Sequence, residues 1–301
     1  MSFLNEVITD TLHHLPKWFA KPFAKPYVAG ETIDEALKQI KFLNEKGYCA
    51  TLDILGEHTL QTNEAKKIAQ EYCLIYEKIS DKNLDCNISI KPTHIGLSIS
   101  YDKTINNLDR ILKSAEKHSN FLRLDMESSQ YTEKTIQMYH YCKSKYDKVG
   151  IVIQSYLIRS EKDIKLLANK NFNSRICKGI YNEPSSLAFK DHLQIKNNFL
   201  LLAKLMAKKE AYLGIATHDQ DLIDQWLYWV KNNNISKQQF EFQVLYGVPM
   251  QGRLESLIEK GFKVRVYVPF GPNWFEYSIR RLKENPSIVN YVLKNFFRSK
   301  T

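Results

Sequence analysis

Eight short apolar, β-branched runs recur along the chain, at 48–55, 84–92, 120–127, 149–156, 174–181, 211–218, 240–247 and 263–270. Each reads as a strand. The stretches between them carry helical periodicity, and such an alternation builds a parallel sheet with crossover helices. Eight units within about 225 residues predict a closed (βα)8, TIM-like barrel, for which about 250 residues is typical. The chain's 301 residues are enough for one such core.

The punctuation supports this reading. Before the first run, Thr32 and Glu35 form a capping box, Ile33, Ala36, Leu37, Ile40 and Leu43 make one apolar stripe, and Gly47 ends the helix. Similar stripes follow Asn63 (Ala65, Ile68, Ala69, Tyr72) and span Phe199 to Met206. Residues 1–30, interrupted by Pro16, Pro22 and Pro26, read as an N-terminal arm of short helices, and residues 31–301 as the barrel domain.

Lys and Arg total 43 against 33 acids, a net charge of +10, which favours anionic partners or simply gives a lysine-rich solvated surface. The lysines are spread along the chain rather than run together, which weakens a nucleic-acid reading. No segment approaches the roughly 18 uncharged apolar residues that a membrane span needs. Five cysteines (Cys49, Cys73, Cys86, Cys142, Cys177) form an odd set without CxxC spacing, so neither a disulfide framework nor a zinc site is indicated and a reducing, cytoplasmic setting is expected. The first 30 residues lack the apolar core of a secretory signal, and Glu6 and Asp10 argue against a transit peptide.

In a (βα)8 barrel the chemistry sits at the carboxyl ends of the strands. The polar residues expected there are Asp53, Glu57, Lys91, Asp125, Glu127, Gln154, Arg175, Lys178, Thr217, His218, Gln243, Tyr246, Arg265 and Tyr267. Lys91 and Asp125 end adjacent strands, so they are expected to pair and to line a site for a zwitterion. After the last strand, Tyr277, Arg280, Arg281 and Glu284 share one broad helical face, and paired guanidinium groups suit a carboxylate or a phosphate. His218 with Asp219, Asp221 and Asp224 invites a metal reading, but no HxH pair ends the first strand and the aspartates read as a helix's acidic first turn, complementing its dipole. No metal is expected. No GxGxxG or GxxxxGK[ST] sequence is present, so neither common nucleotide-binding loop is supported.

The segments IKPTHIGL (90–97), RLDME (123–127), IQSYL (153–157), RICKGIY (175–181), ATHD (216–219) and VYVPFGPNWFEYSIRRLKENP (266–286) together resemble the proline dehydrogenase family, in its stand-alone form. The resemblance spans roughly residues 48–286 in order. It implies a distorted barrel that holds FAD noncovalently over the strand ends, with a final helix lying across them. It also implies L-proline as substrate, pyrroline-5-carboxylate as product and a membrane quinone as electron acceptor. Carried over residue by residue, it places Asp125 and Arg175 at the active site and Lys91, Tyr267, Tyr277, Arg280 and Arg281 around the substrate. It places Met126, Gln154, Arg175, Lys178, Gly179, Ile180, Thr217 and His218 at the flavin. Tyr181 becomes part of the aromatic wall, and Glu284 holds one arginine of the pair. Ile180 departs from the family's KGAY, and Pro272, Asn273 and Phe275 stand where an acid and a tyrosine are more usual. The expected partners follow: proline, the quinone, a transient contact with the inner face of the membrane, and a separate pyrroline-5-carboxylate dehydrogenase, without nucleic acid. A metal-dependent barrel hydrolase using His218, and a basic nucleic-acid-binding protein, are the competing readings.

Overall fold

A computed structural model describes residues 27–275, 277 and 278. The eight strands are β1 (Cys49–Ile54), β2 (Cys86–Ile90), β3 (Leu122–Leu124), β4 (Val149–Gln154), β5 (Asn173–Cys177), β6 (Tyr212–Ala216), β7 (Phe240–Leu245) and β8 (Val264–Phe270). They are hydrogen-bonded in sequence order, and β8 pairs with β1, closing a parallel barrel. A helix precedes each strand: α1 (Ile33–Glu45), α2 (Thr62–Asp81), α3 (Tyr101–Lys117), α4 (Ser129–Lys143), α5 (Ser160–Leu167), α6 (His192–Lys208), α7 (Gln220–Asn232) and α8 (Arg253–Glu259).

The local signals act as expected. Thr32 caps α1 in a full capping box with Glu35, and Gly47 turns the chain at φ 84°. Asp219 caps α7 by accepting from the Leu222 amide. The apolar layer lies between sheet and helices, where Ala36, Leu37 and Ile40 of α1 and Tyr72 and Ile75 of α2 join Leu52, Val266 and Val268 in one cluster.

Strand alternation then sends the other parity inward. Thr51 and Asp53 of β1 stand opposite Tyr267 and Pro269 of β8, and the inward set includes Arg123, Arg175, Glu241, Gln243 and Arg265. The barrel is apolar outside and charged within. Charges at this depth need partners in fixed places, and small residues make room for them: a Cβ on Gly150 would come within 2.5 Å of the Arg123 guanidinium. Arg265, expected at a strand end, is instead the second residue of β8 and lies at the amino end of the barrel, because that run begins earlier relative to its charges than the others. Residues 1–26 and the arginine-bearing segment with Arg280, Arg281 and Glu284 fall outside the described residues.

Candidate active site

Above the carboxyl ends of the strands opens a cavity of about 1030 Å³. Its wall includes Lys91, Asp125, Met126, Gln154, Arg175, Lys178, Gly179, Ile180, Tyr181, Thr217, His218, Tyr267 and Tyr277. The cavity therefore brings together every described residue that the resemblance places at the site, all but Tyr277 from the strands or the loops that follow them. The wall also holds residues that the resemblance does not place at the site, among them Tyr27, Asp53 and Gln243. Asp53 and Gln243 were readable as strand-end polar residues. Tyr27 was not, since it lies in the proline-rich arm where no periodicity marks an inward face.

The centre of the site is Asp125, one residue beyond β3. Its Oδ1 accepts from the Ser89 hydroxyl at 2.5 Å and from Arg175 Nη1 at 2.9 Å, and its Oδ2 accepts from the Tyr267 phenol at 2.8 Å. Burial, followed by the carboxylates of Asp125 and Asp53, pushes the Tyr267 phenol well above its ordinary range despite Arg175, so Tyr267 remains a donor. The Arg175 guanidinium also lies 4.9 Å over the Tyr267 ring.

The expected Lys91–Asp125 pair does not form. Lys91 Nζ instead bonds Asp53 Oδ2 at 2.6 Å. Asp125 already accepts three donors, whereas Asp53 on the neighbouring β1 is buried and otherwise poorly neutralised. Burial raises the Asp53 carboxyl to about 6, with Lys91 opposing the rise and Asp125 adding to it. For Lys91 burial works downward, but the Asp53 and Asp125 carboxylates outweigh it and raise the ammonium above its ordinary value. Two opposite-charge pairs thus sit side by side on one wall.

Three buried polar atoms on this wall, Tyr27 Oη, Asp53 Oδ1 and Gln154 Oε1, have no hydrogen-bond partner among the described residues. Gln154 donates its amide to the Met126 carbonyl at 3.2 Å, which leaves that oxygen as an acceptor. His218 Nε2 accepts the Leu245 amide at 3.0 Å, so a neutral ring carries its proton on Nδ1. Gly179, at φ 101°, packs so closely on Tyr156 that a Cβ would lie 2.1 Å from the ring. Tyr181 reaches Glu57 at 3.4 Å. Tyr246 turns away from the cavity to Gln39 of α1, 3.2 Å distant, because its parity is opposite to that of Leu245.

The aspartates beside His218 are occupied otherwise. Asp219 binds Lys178 at 2.8 Å and Lys196 at 3.1 Å, Asp221 binds Lys196 at 3.0 Å, and Asp224 pairs with Arg253. A different trio, Glu57, His58 and Glu127, has ligand atoms within 4.8 Å of one another. Glu127 spends both carboxylate oxygens on Thr93, one of them on its backbone amide at 2.8 Å.

A closed parallel barrel with paired charges around a cavity at its carboxyl end defines a (βα)8-barrel enzyme. The proline dehydrogenase family model matches residues 36–294. Proline dehydrogenase 1 of Bacillus subtilis subsp. natto is 38% identical over 285 residues, covering 93% of this chain and 94% of that protein. Proline dehydrogenase of Deinococcus radiodurans is 31% identical over 280 residues, covering 91% and 90%. Proline utilization A from Bdellovibrio bacteriovorus, solved after inactivation by N-propargylglycine, superposes with a TM-score of 0.80 at 25% identity. That match covers 87% of this chain and 32% of the other, so this chain spans about a third of the larger protein. The chain belongs to the proline dehydrogenase family.

Proposed function

We propose that this protein oxidises L-proline to pyrroline-5-carboxylate with a noncovalently held FAD and passes the electrons to a quinone. The observation that carries the reading is the pairing of Lys91–Asp53 and Arg175–Asp125 around one cavity whose wall also holds unpartnered acceptors. A zwitterion needs both signs of charge close together. At about 1030 Å³ the cavity sits at the upper end of the 300–1,000 Å³ typical of small-molecule sites, enough for a cofactor and a substrate together.

The residues fit a flavin. Gln154 Oε1 offers an acceptor to the imide N–H of an isoalloxazine ring, and Gly179 presents backbone where a side chain would collide with Tyr156. Arg175 supplies positive charge, with Met126, Lys178, Ile180, Thr217 and His218 completing the cradle. Bound there, FAD supplies a hydride acceptor. The chain's own residues hold proline so that the carbon next to nitrogen faces that acceptor: Tyr267, Tyr277 and Tyr181 pack the ring, and Arg280 and Arg281 take the carboxylate, one of them braced by Glu284. The ammonium would first give up a proton to water, after which the freed lone pair would form the C=N bond as the C–H hydrogen departs with its electron pair to the acceptor that FAD would supply. Lys91 and Asp125 set the electrostatics around that nitrogen.

The quinone and a transient contact with the inner, anionic membrane face are supported by the +10 net charge, and the setting is cytoplasmic. Among the described residues, no helix is long and apolar enough to cross a membrane. A separate pyrroline-5-carboxylate dehydrogenase would consume the product. The test is direct: the purified protein shows flavin absorbance, releases FAD on denaturation, bleaches with L-proline and is inactivated by N-propargylglycine. A protein that cannot be loaded with FAD, or whose flavin proline does not reduce, overturns the reading. Arg280→Met or Arg281→Met raises KM for proline at least about 10-fold, the worth of a charge-assisted hydrogen bond, with flavin content little changed. Unchanged KM in both removes the carboxylate role.

A further inference from the structure

We infer that Glu241, buried in the floor of the barrel, is a positioning residue that fixes the Arg175 guanidinium through Gln243 and so sets the pull of that cation on a flavin's reducible ring. The inference rests on the flavin reading above. Glu241 and Gln243 stand two residues apart on β7, both facing inward. Gln243 Nε2 donates to Glu241 Oε1 at 2.6 Å, and Gln243 Oε1 accepts from Arg175 Nε at 2.6 Å. The carboxylate can only accept, so it dictates which way the amide points. A flipped amide would set its NH2 against the guanidinium and its oxygen against the carboxylate, losing both bonds.

Glu241 is itself held by two further donors. Arg265 Nε donates to Oε1 at 2.7 Å, the Tyr212 phenol donates to Oε2 at 3.0 Å, and Arg265 is anchored to the Ala50 carbonyl at 2.7 Å. Burial alone would push this carboxyl up, but Arg265 outweighs it and holds the value down to about 2, so the anion is permanent at neutral pH. The neighbouring strand leaves room for the link: a Cβ on Gly214 of β6 would come within 2.5 Å of Gln243 Nε2. At the far end, Asp125 grips Arg175 Nη1 at 2.9 Å. Arg175 is therefore held between two acceptors, Asp125 and Gln243, and the second is tied to the floor through Glu241. A floor that served stability alone would close on the Arg265–Glu241 pair. Here it continues through an amide into the cavity wall.

The test uses the holoenzyme with Gln243→Leu, which removes the link and leaves Glu241–Arg265 and Asp125–Arg175 in place. Reduced flavin carries negative charge, so a loosened cation stabilises it less. The flavin midpoint potential moves to more negative values, and kcat falls about 10- to 100-fold with KM for proline within about twofold. Gly214→Ala keeps every charge and displaces the amide sterically; it shifts the potential the same way and serves where Gln243→Leu does not fold. Unfolding midpoints are recorded alongside, since a packing defect would move those without moving the potential. A wild-type potential in whichever variants fold overturns the inference. A wild type that holds no flavin overturns the function itself, and the two failures are distinct because the wild type is measured first.

Discussion

The two ends of the barrel interior are both charged, yet they are finished differently. At the floor, Arg123 spends its guanidinium on the Ile151 carbonyl at 3.0 Å, the Asn173 carbonyl at 3.2 Å and Asn173 Oδ1 at 2.8 Å, and Arg265 is shared between Glu241 and Ala50. At the mouth, Asp53 and Gln154 each keep an unpartnered oxygen beside the cavity. Closed networks hold a fold together. Open ones await a ligand, because an unsatisfied buried acceptor is costly until something donates to it.

Exchanging a charge at each end should separate the two roles most widely. Glu241→Gln removes the near, buried counter-ion of Arg265 and leaves it only the exposed Asp85 at 4.0 Å, so stability falls by about 3 kcal/mol. Asp53→Asn removes a carboxylate whose charge burial already disfavours and leaves Lys91 beside Asp125, so stability should change by only about 1 kcal/mol while kcat/KM for proline drops by about two orders of magnitude. Denaturant unfolding and steady-state kinetics on both variants check this. Equal stability losses would mean that the mouth is as structural as the floor.

The pH dependence should run in opposite directions at the two ends. Glu241 is held at about 2, below its ordinary 4.5, so its stabilisation is present above pH 4.5 and lost as pH falls towards 2. Asp53 is raised from 3.8 to about 6, so its contribution is present below pH 3.8 and lost as pH rises through 6. Between pH 4 and 7 the wild type should therefore lose stability relative to Asp53→Asn, by about 2 kcal/mol. Unfolding free energies at several pH values measure the gap, and a gap independent of pH would place the Asp53 carboxyl in an ordinary environment.

The same contrast explains what was legible in the sequence. The eight strands could be read because β-branched runs and caps are local signals, and the mouth could be read because polar residues end those runs. Pairing could not. That Lys91 takes Asp53 rather than Asp125 depends on three donors converging on Asp125 from β2, β5 and β8, which no single segment shows. Tyr246 is expected at the mouth because run boundaries blur by a residue, and one residue reverses the face; Arg265 faces inward but is the second residue of β8, a position along the strand that the run alone does not reveal. Tyr27 reaches the cavity from the arm, where the Ala29 amide bonds the Pro269 carbonyl at 2.9 Å, a contact across 240 residues that periodicity does not encode.

The smallest expected effect separates backbone strain from crowding at the mouth. Gly179 and Gly252 both have positive φ, 101° and 78°, where a side chain is strained whatever the space. A Cβ at Gly252, the N-cap of α8, meets nothing within 4 Å, so Gly252→Ala costs about 1 kcal/mol of stability and leaves the flavin in place. At Gly179 the same atom would lie 2.1 Å from the Tyr156 ring, and the ring or the Lys178–Ile180 backbone must move. Tyr156 is hemmed in, since its amide donates to the Lys178 carbonyl at 2.9 Å and its carbonyl accepts from the Phe189 amide at 2.8 Å. The loop therefore yields first, and with it the surface offered to the cofactor. Gly179→Ala should cost about 2 kcal/mol more in FAD affinity than Gly252→Ala, roughly 30-fold in Kd, read by titrating each apoprotein with FAD and following flavin fluorescence. Equal affinities would show that the segment's contact with the flavin does not depend on its close approach to Tyr156.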